Sequence, residues 1–164
     1  MKNPINVLFL CTHNSARSVL AEAALNHLGG QRFRAYSAGS TPRVSGQPNP
    51  LAIQTLQAAG LETSALRSKS WDEFLGTAAP ELHLVITVCG NASEVCPIFP
   101  GTPPKVHWGY EDPSAGDAPD QEKLVAFEQT FKQISKRIEA FVALSDQDLL
   151  PEAIARSAQR LGDL

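Results

Sequence analysis

Four short segments of the chain have the apolar, β-branched or aromatic composition that is typical of strands. The first is a continuous apolar run, which indicates a strand inside the molecule. The other three are less uniform but are bounded by turn-forming residues. These four segments are Val7–Leu10, Phe33–Ser37, Leu82–Val88 and Lys105–Trp108.

Elsewhere, apolar residues recur every three or four positions, and this period predicts amphipathic helices. Asn49 before Pro50 is a typical N-cap followed by a first-turn proline. Gly29 and Gly60 each follow the last apolar position of a predicted helix and mark where that helix ends. The predicted helices begin at Arg17 or Ser18, Pro50, Ser70, Asp120 and Pro151.

Strands that alternate with helices predict an α/β fold, an open parallel sheet of about four strands flanked by helices on both faces. We expect residues 1–164 to form one domain, because no linker or repeat divides them. Open parallel sheets bind ligands outside the carboxyl ends of their strands. Cys11, Cys89 and Asp112 each follow a predicted strand, so we expect them at one edge of the sheet.

Composition and charge exclude some classes of function. Hydrophobic residues make up 43% of the 164 residues, as in a globular protein, and the net charge of −3 argues against a general nucleic-acid or membrane surface. The first residues run directly into a strand, so we expect no signal peptide and a cytoplasmic protein, and we expect a monomer. In the cytoplasm, cysteines tend to be catalytic, redox-active or metal-binding rather than structural disulfides.

The segment between the first strand and the first helix has the composition of an anion-binding loop. Cys11 ends the strand, and the loop amides and the following helix dipole favour both a bound anion and a cysteine thiolate. Arg17 offers a planar guanidinium to a tetrahedral oxyanion, and Asn14 is expected to shape the loop through side-chain bonds. The loop residues are Thr12, His13, Asn14, Ser15, Ala16 and Arg17.

The spacing Cys-x5-Arg-Ser resembles the phosphate loop of low-molecular-weight protein tyrosine phosphatases. Such a phosphatase has no need of the segment from Cys89 to Cys96. With this segment, the chain resembles the thioredoxin-coupled arsenate reductases that share the phosphatase fold. The resemblance extends over nearly the whole chain and includes Cys11–Arg17, Ser37–Gly39, Val85–Pro97 and His107–Pro113.

This resemblance implies a mechanism in which Cys11 attacks arsenate while Ser18 hydrogen-bonds its thiolate and Asp112 protonates the departing oxygen. Cys89 then attacks Cys11 and releases arsenite, and Cys96 carries the disulfide outward to an external dithiol. Thioredoxin, or glutaredoxin with glutathione, would supply that dithiol, and no bound cofactor or metal is implied. Since one rigid geometry suits both cysteine pairings poorly, the 90–104 loop is expected to move between them.

Several alternatives stay open on the sequence. The same loop would serve a phosphatase working through a phosphocysteine, and the cysteines alone would serve an oxidant sensor. Cys89 and Cys96 could be core residues, or zinc ligands with His83 or His107, although their spacing is long for zinc. Asp112 before Pro113 could be a turn residue, and His13 is expected to face solvent.

A monovalent-cation site is a further implication of the resemblance. Asn14, Glu22 and Ser37 match the positions of its ligands, whereas the acidic residue expected near Asp72 does not align convincingly. Potassium dependence is therefore an open question. The alternative is that Glu22 is a solvated residue on the surface of the first helix.

Overall fold

The computed structural model describes residues 3–90 and 98–164. Four strands form one fully parallel sheet in the spatial order β2-β1-β3-β4, which confirms the predicted fold class. The strands are β1 (Ile5–Cys11), β2 (Phe33–Gly39), β3 (Leu84–Thr87) and β4 (Lys105–His107).

All four strands differ from the predicted segments at one end or both: β1 extends from Ile5 to Cys11, and β4 ends at His107 rather than Trp108. β2 continues to Gly39, because its register with β1 pairs Cys11 with Gly39 at the last position. β3 is shorter than the Leu82–Val88 segment, although the Val88 amide still donates to Leu10 O at 3.0 Å. The chain therefore continues along the sheet until Cys89, as the sequence suggested.

The helices also follow the predicted order. They are α1 (Arg17–Leu28), α2 (Pro50–Ala58), a 3-10 helix (Trp71–Phe74), α3 (Asp120–Val142) and α4 (Ile154–Gly162). The prediction that the last helix starts at Pro151 is wrong. There the Ala153 amide bonds to Leu150 O at 2.9 Å, so the chain makes a turn before α4 begins.

Side chains of β1 alternate between two apolar clusters on opposite faces of the sheet. Val7 and Phe9 join residues of all four α-helices in the larger cluster. Leu8 and Leu10 join the smaller one, which Phe74 of the 3-10 helix covers together with Phe99. Helical segments thus cover both faces, and the α-helices supply the larger core.

Trp108, immediately after β4, is fully buried. Its indole N–H donates to Ala158 O in α4 at 2.8 Å, and its ring packs edge-on against Phe141 of α3. Trp108 is therefore a packing residue between the sheet, α3 and α4, at the point where the chain leaves the sheet edge. Across residues 3–90 and 98–164, no helix combines the length and apolarity that crossing a membrane requires.

Candidate functional site

Cys11 lies at the carboxyl end of β1 and is 3% exposed. Its Sγ is 2.9 Å from Ser18 Oγ, in the first turn of α1. The residue before α1 is Ala16, which has no side-chain oxygen to accept from the first amides of the helix. The thiol therefore sits beside a helix N-terminus that lacks a side-chain cap, an arrangement that favours anions.

Residues 12–16, the nucleophile loop, connect β1 to α1. Neighbouring segments bond to its backbone carbonyls, and these bonds hold the loop in one shape. His13 is exposed at its tip, as expected. The bonds run from Thr41 N to Thr12 O at 2.8 Å, from Ser68 Oγ to His13 O at 2.8 Å, and from Asn49 N to Ser15 O at 2.9 Å.

Asn14 is the buried centre of this loop. Its φ of 48° lies in the left-handed region, which asparagine tolerates better than most residues. Its Nδ2 donates to Ser18 Oγ at 2.8 Å and to Ser37 Oγ at 2.9 Å, while its Oδ1 accepts from the Lys69 amide at 2.9 Å. The predicted shaping of the loop by Asn14 is confirmed.

Two glycines permit close backbone contacts around the site. A Cβ at Gly39 would lie 2.5 Å from Thr12 O, so β2 can approach the nucleophile loop only without a side chain there. A Cβ at Gly90 would overlap the carbonyl of Tyr110. Gly90 thus allows the chain after β3 to contact residues 109–114, which we call the acid loop.

Arg17 connects the two loops. Its side chain is 8% exposed; its Nη1 donates to Tyr110 O at 2.9 Å, and its Nη2 is 4.0 Å from Asp112 Oδ2. The acid loop therefore orients the guanidinium, and the backbone of Arg17 begins α1. A planar guanidinium fixed in this way can present further N–H groups to an oxyanion.

Asp112 is both a turn residue and a neighbour of Arg17. Its Oδ1 accepts from the Ser114 amide at 2.9 Å and from Ser114 Oγ at 2.6 Å, so the turn interpretation is confirmed. Its Oδ2 faces Arg17, and its side chain is 30% exposed. The turn leaves one carboxyl oxygen toward the site, as proton donation would require.

Cys89 follows β3 and is buried, and both Cys11 and Cys89 are thiols rather than disulfides. Because β3 is the direct neighbour of β1, the two cysteines end adjacent strands at one sheet edge. A cleft of about 580 Å³ includes Gly90 and Asp112 among its lining residues. Cys96 lies outside the described residues, together with the rest of residues 91–97 of the predicted 90–104 loop.

The three predicted cation ligands do meet, but a lysine lies beside them. Asn14 bonds to Ser37, and Ser37 Oγ donates to Glu22 Oε1. Lys69 Nζ lies 3.8 Å from the same carboxylate. The alternative that Glu22 is solvated is wrong, since its side chain is only 13% exposed.

Burial acts on both members of this pair. It raises the pKa of Glu22, and the Lys69 charge and the Ser37 hydrogen bond partly offset that rise. It lowers the pKa of Lys69, and the Glu22 charge partly offsets that fall. Each charge therefore depends on its partner.

The histidines considered as zinc ligands have other contacts. His83 Nδ1 accepts from the Asn6 amide at 2.9 Å, and His107 Nδ1 is 2.8 Å from Thr87 Oγ1. Within the described ranges, no three His, Cys, Asp or Glu side chains group as metal ligands would.

Comparison with known proteins agrees with this geometry. Residues 6–156 match the model of the low molecular weight phosphotyrosine protein phosphatase family. The chain belongs to this family. An arsenate reductase from Halalkalibacterium halodurans is 36% identical over 135 residues, which are 82% of this chain and 93% of the relative.

Solved structures of similar proteins carry related names. The arsenate reductase from Archaeoglobus fulgidus superposes with a TM-score of 0.68 at 28% identity, over 84% of this chain and 99% of that one. The thioredoxin-dependent arsenate reductase of Corynebacterium glutamicum superposes with a TM-score of 0.52 at 28% identity, over 85% of this chain and 64% of that one. This member of the phosphatase family is therefore similar to proteins named for arsenate reduction.

In this family member, sequence reasoning missed Lys69, Ser68 and Tyr110. They come from segments without a clear period, and they reach the site through contacts distant in sequence. One signal could have indicated Lys69: Glu22 is four residues after Ser18 and so shares its helix face. A carboxylate on a face that points toward the core requires a polar or charged partner.

Proposed function

We propose that the protein is an arsenate reductase that transfers electrons through three of its own cysteines. The observation that carries the proposal is the placement of two thiols, Cys11 and Cys89, at the ends of adjacent strands. A phosphatase needs the first thiol and not the second. The similarity to proteins named arsenate reductase supports the same conclusion.

The first step is attack on the oxyanion. Arsenate binds among the loop amides and the Arg17 guanidinium, and the Cys11 thiolate forms a bond to arsenic. An arsenic–oxygen bond breaks, and Asp112 supplies a proton so that water leaves. Ser18, in hydrogen-bonding distance of Cys11 Sγ, stabilises the thiolate before attack. Arsenic keeps its oxidation state in this step.

The second step is reduction. The Cys89 thiolate attacks the Cys11 sulfur, the sulfur–arsenic bond breaks, and its electron pair stays on arsenic, which leaves as arsenite. The two sulfurs form a disulfide, so the thiols lose the two electrons that arsenic gains. Cys96 then attacks Cys89, which restores the Cys11 thiolate and leaves a Cys89–Cys96 disulfide.

An external dithiol completes the cycle by reducing the Cys89–Cys96 disulfide. We propose a thioredoxin-like protein for this role, with glutaredoxin and glutathione as the alternative. The name of the Corynebacterium relative supports thioredoxin. We further propose that the enzyme acts as a cytoplasmic monomer without a bound cofactor or metal.

A single-turnover experiment tests the cysteine relay. Fully reduced protein mixed with arsenate, without added reductant, should release one arsenite per chain and form a Cys89–Cys96 disulfide, detected by peptide mass spectrometry. Cys89→Ser should release no arsenite, because the variant lacks the thiol that the proposed relay uses to attack the Cys11 sulfur. Full arsenite release by Cys89→Ser would refute the relay.

A coupled assay distinguishes the reductants. Arsenate-dependent oxidation of NADPH should occur with thioredoxin and thioredoxin reductase, and it should be much slower with glutaredoxin, glutathione and glutathione reductase. The opposite order would assign the glutathione system.

A second candidate function is hydrolysis of phosphate monoesters, which the family match and the Cys11–Arg17–Asp112 arrangement favour. Phosphatase activity alone would not separate the two functions, since the same loop could support both. Cys96→Ser separates them: it should stop multiple turnover of arsenate and leave hydrolysis of p-nitrophenyl phosphate unchanged. An arsenate turnover that is insensitive to Cys96→Ser would reject the reductase mechanism.

A further inference from the structure

Lys69 has no role in the proposed chemistry, yet its side chain is 8% exposed and its ammonium lies within the site's polar network. Nζ is 3.8 Å from Glu22 Oε1 and 3.1 Å from Arg67 O. Lysine is rarely buried to this degree without a partner that compensates for lost hydration. The buried position therefore calls for an explanation.

The Lys69–Glu22 pair contacts the nucleophile loop from both sides. On one side, the Lys69 backbone amide donates to Asn14 Oδ1. On the other side, Glu22 accepts from Ser37 Oγ, and Ser37 Oγ accepts from Asn14 Nδ2. Both paths meet at Asn14, whose Nδ2 also donates to Ser18 Oγ, the group 2.9 Å from Cys11 Sγ.

The direction of these bonds depends on the charge of Glu22. As long as Glu22 is a carboxylate, it can only accept a hydrogen bond, and the Ser37 hydroxyl donates that bond. The lone pairs of the Ser37 oxygen then accept from Asn14 Nδ2. The Asn14 amide then directs its N–H groups toward Ser37 and Ser18. A protonated Glu22 could instead donate to Ser37, which would weaken this order. A positive charge beside Glu22 keeps the carboxylate ionised.

We propose that Lys69 is a positioning residue whose ammonium serves as a built-in monovalent cation, holding Glu22 ionised and thereby fixing Asn14 and Ser18 around Cys11. The protein then needs no added potassium for a reactive Cys11. Removing the ammonium would leave a carboxylate and the Ser37 hydroxyl facing a small space, and oxygen ligands of this kind suit a hard cation.

The test measures Cys11 alkylation by iodoacetamide, followed by mass spectrometry of the Cys11 peptide, in potassium chloride or choline chloride at equal ionic strength. The inference rests on the proposed role of Cys11 as the nucleophile, but this readout needs no arsenate reduction and can fail independently. Wild-type protein should react equally fast in both salts. Lys69→Ala in choline should react about tenfold more slowly, the change equivalent to one pKa unit.

Potassium should restore most of the rate of Lys69→Ala, because the ion can enter the space left by the side chain. Lys69→Met fills that space without a charge, so it should be slow in both salts. Lys69→Arg should retain most of the wild-type rate in choline. Glu22→Gln in the Lys69→Ala background should abolish the potassium effect, since the charged ligand is gone.

A folding failure of Lys69→Ala, detected by circular dichroism, would leave Lys69→Met/Glu22→Gln as the test, because it removes both charges at nearly constant volume. It should react slowly and be insensitive to potassium. The proposal is overturned if wild-type Cys11 reacts faster in potassium than in choline, or if Lys69→Ala or the double variant matches wild type in choline.

Discussion

The two loops that meet at the site are built differently. The nucleophile loop receives hydrogen bonds from Thr41, Asn49, Ser68 and Lys69, residues that lie far from it in sequence. The acid loop instead orients Asp112 through a turn closed two residues later, at Ser114. Long-range bonds shape the first loop, and a local turn orients the Asp112 carboxyl in the second.

Under the proposed mechanism, this difference suits each loop to a different task. An oxyanion cradle must have its amides in place before substrate arrives, because preorganised groups need no rearrangement during reaction. A proton donor must exchange with solvent between turnovers, and the 30% exposure of Asp112 allows this. Arg17 directly follows the nucleophile loop and bonds to the acid loop, so substitutions there should have the largest effect.

Arg17→Lys should lower kcat/KM for arsenate by about 10²–10³-fold, the cost typical of losing a preorganised donor to an oxyanion. Lysine keeps the charge but cannot bond to Tyr110 O and present a planar fork at the same time. Steady-state kinetics measure the effect. Arg43→Lys, at an exposed arginine, should keep a kcat/KM near the wild-type value. Equal losses in both variants would show that the effect is not specific to Arg17.

Asn14→Ala should lower the free energy of unfolding by about 3 kcal/mol. Alanine is disfavoured in the left-handed backbone conformation, and the Lys69 amide would lose its acceptor. Urea denaturation measures it. Asn14→Gly lacks the same side chain but tolerates a φ of 48°, so it should be about 1 kcal/mol more stable than Asn14→Ala. If both variants are as stable as wild type, the nucleophile loop is not held by its long-range bonds.

Asp112→Asn should lower kcat for arsenate about 10²-fold, because the amide cannot supply the proton. It can still accept from Ser114, so the melting temperature should barely change. Glu111→Gln changes the adjacent carboxyl, which is exposed, and is the matched control. A large loss of stability in Asp112→Asn with normal kcat would reverse the assignment, leaving Asp112 as a turn residue alone.

Tyr110 tests how the acid loop is anchored. Burial raises the pKa of Tyr110 from 10.0 to about 12. Between these values the unfolded chain loses the phenol proton and the folded protein keeps it, so the free energy of unfolding should fall by about 2 kcal/mol as pH rises. Tyr110→Phe should lack this part of the alkaline loss, and Tyr36→Phe should retain it. Identical pH dependence in all three proteins would contradict a buried anchor.

The contrast between long-range and local bonds also explains which features the sequence predicts. The order of strands and helices, the strand–loop–helix unit around Cys11 and the Asp112 turn all depend on residues close in sequence. Their patterns are therefore visible in the chain. The placement of Cys11, Cys89 and Asp112 at one sheet edge follows from the parallel topology alone.

The remaining features depend on tertiary contacts. Lys69 reaches Asn14 across 55 positions of sequence, and no period or motif around it indicates this. The helix pattern around Glu22 is compatible with either a solvated or a buried side chain. Only the contacts of Glu22 with Ser37 of β2 and with Lys69 show that it is buried. The roles of the site residues, and everything concerning Cys96, stay predictions.

The residue before α1 carries a consequence for engineering. A serine or aspartate in place of Ala16 would give the helix a conventional N-cap, a change that stabilises many proteins by about 1 kcal/mol. Here the new oxygen would occupy the same amides that an anion needs, and aspartate would also repel it. Ala16 makes no side-chain cap bond. Under the proposed mechanism the bound oxyanion takes that place, so stability-guided redesign should leave position 16 unchanged.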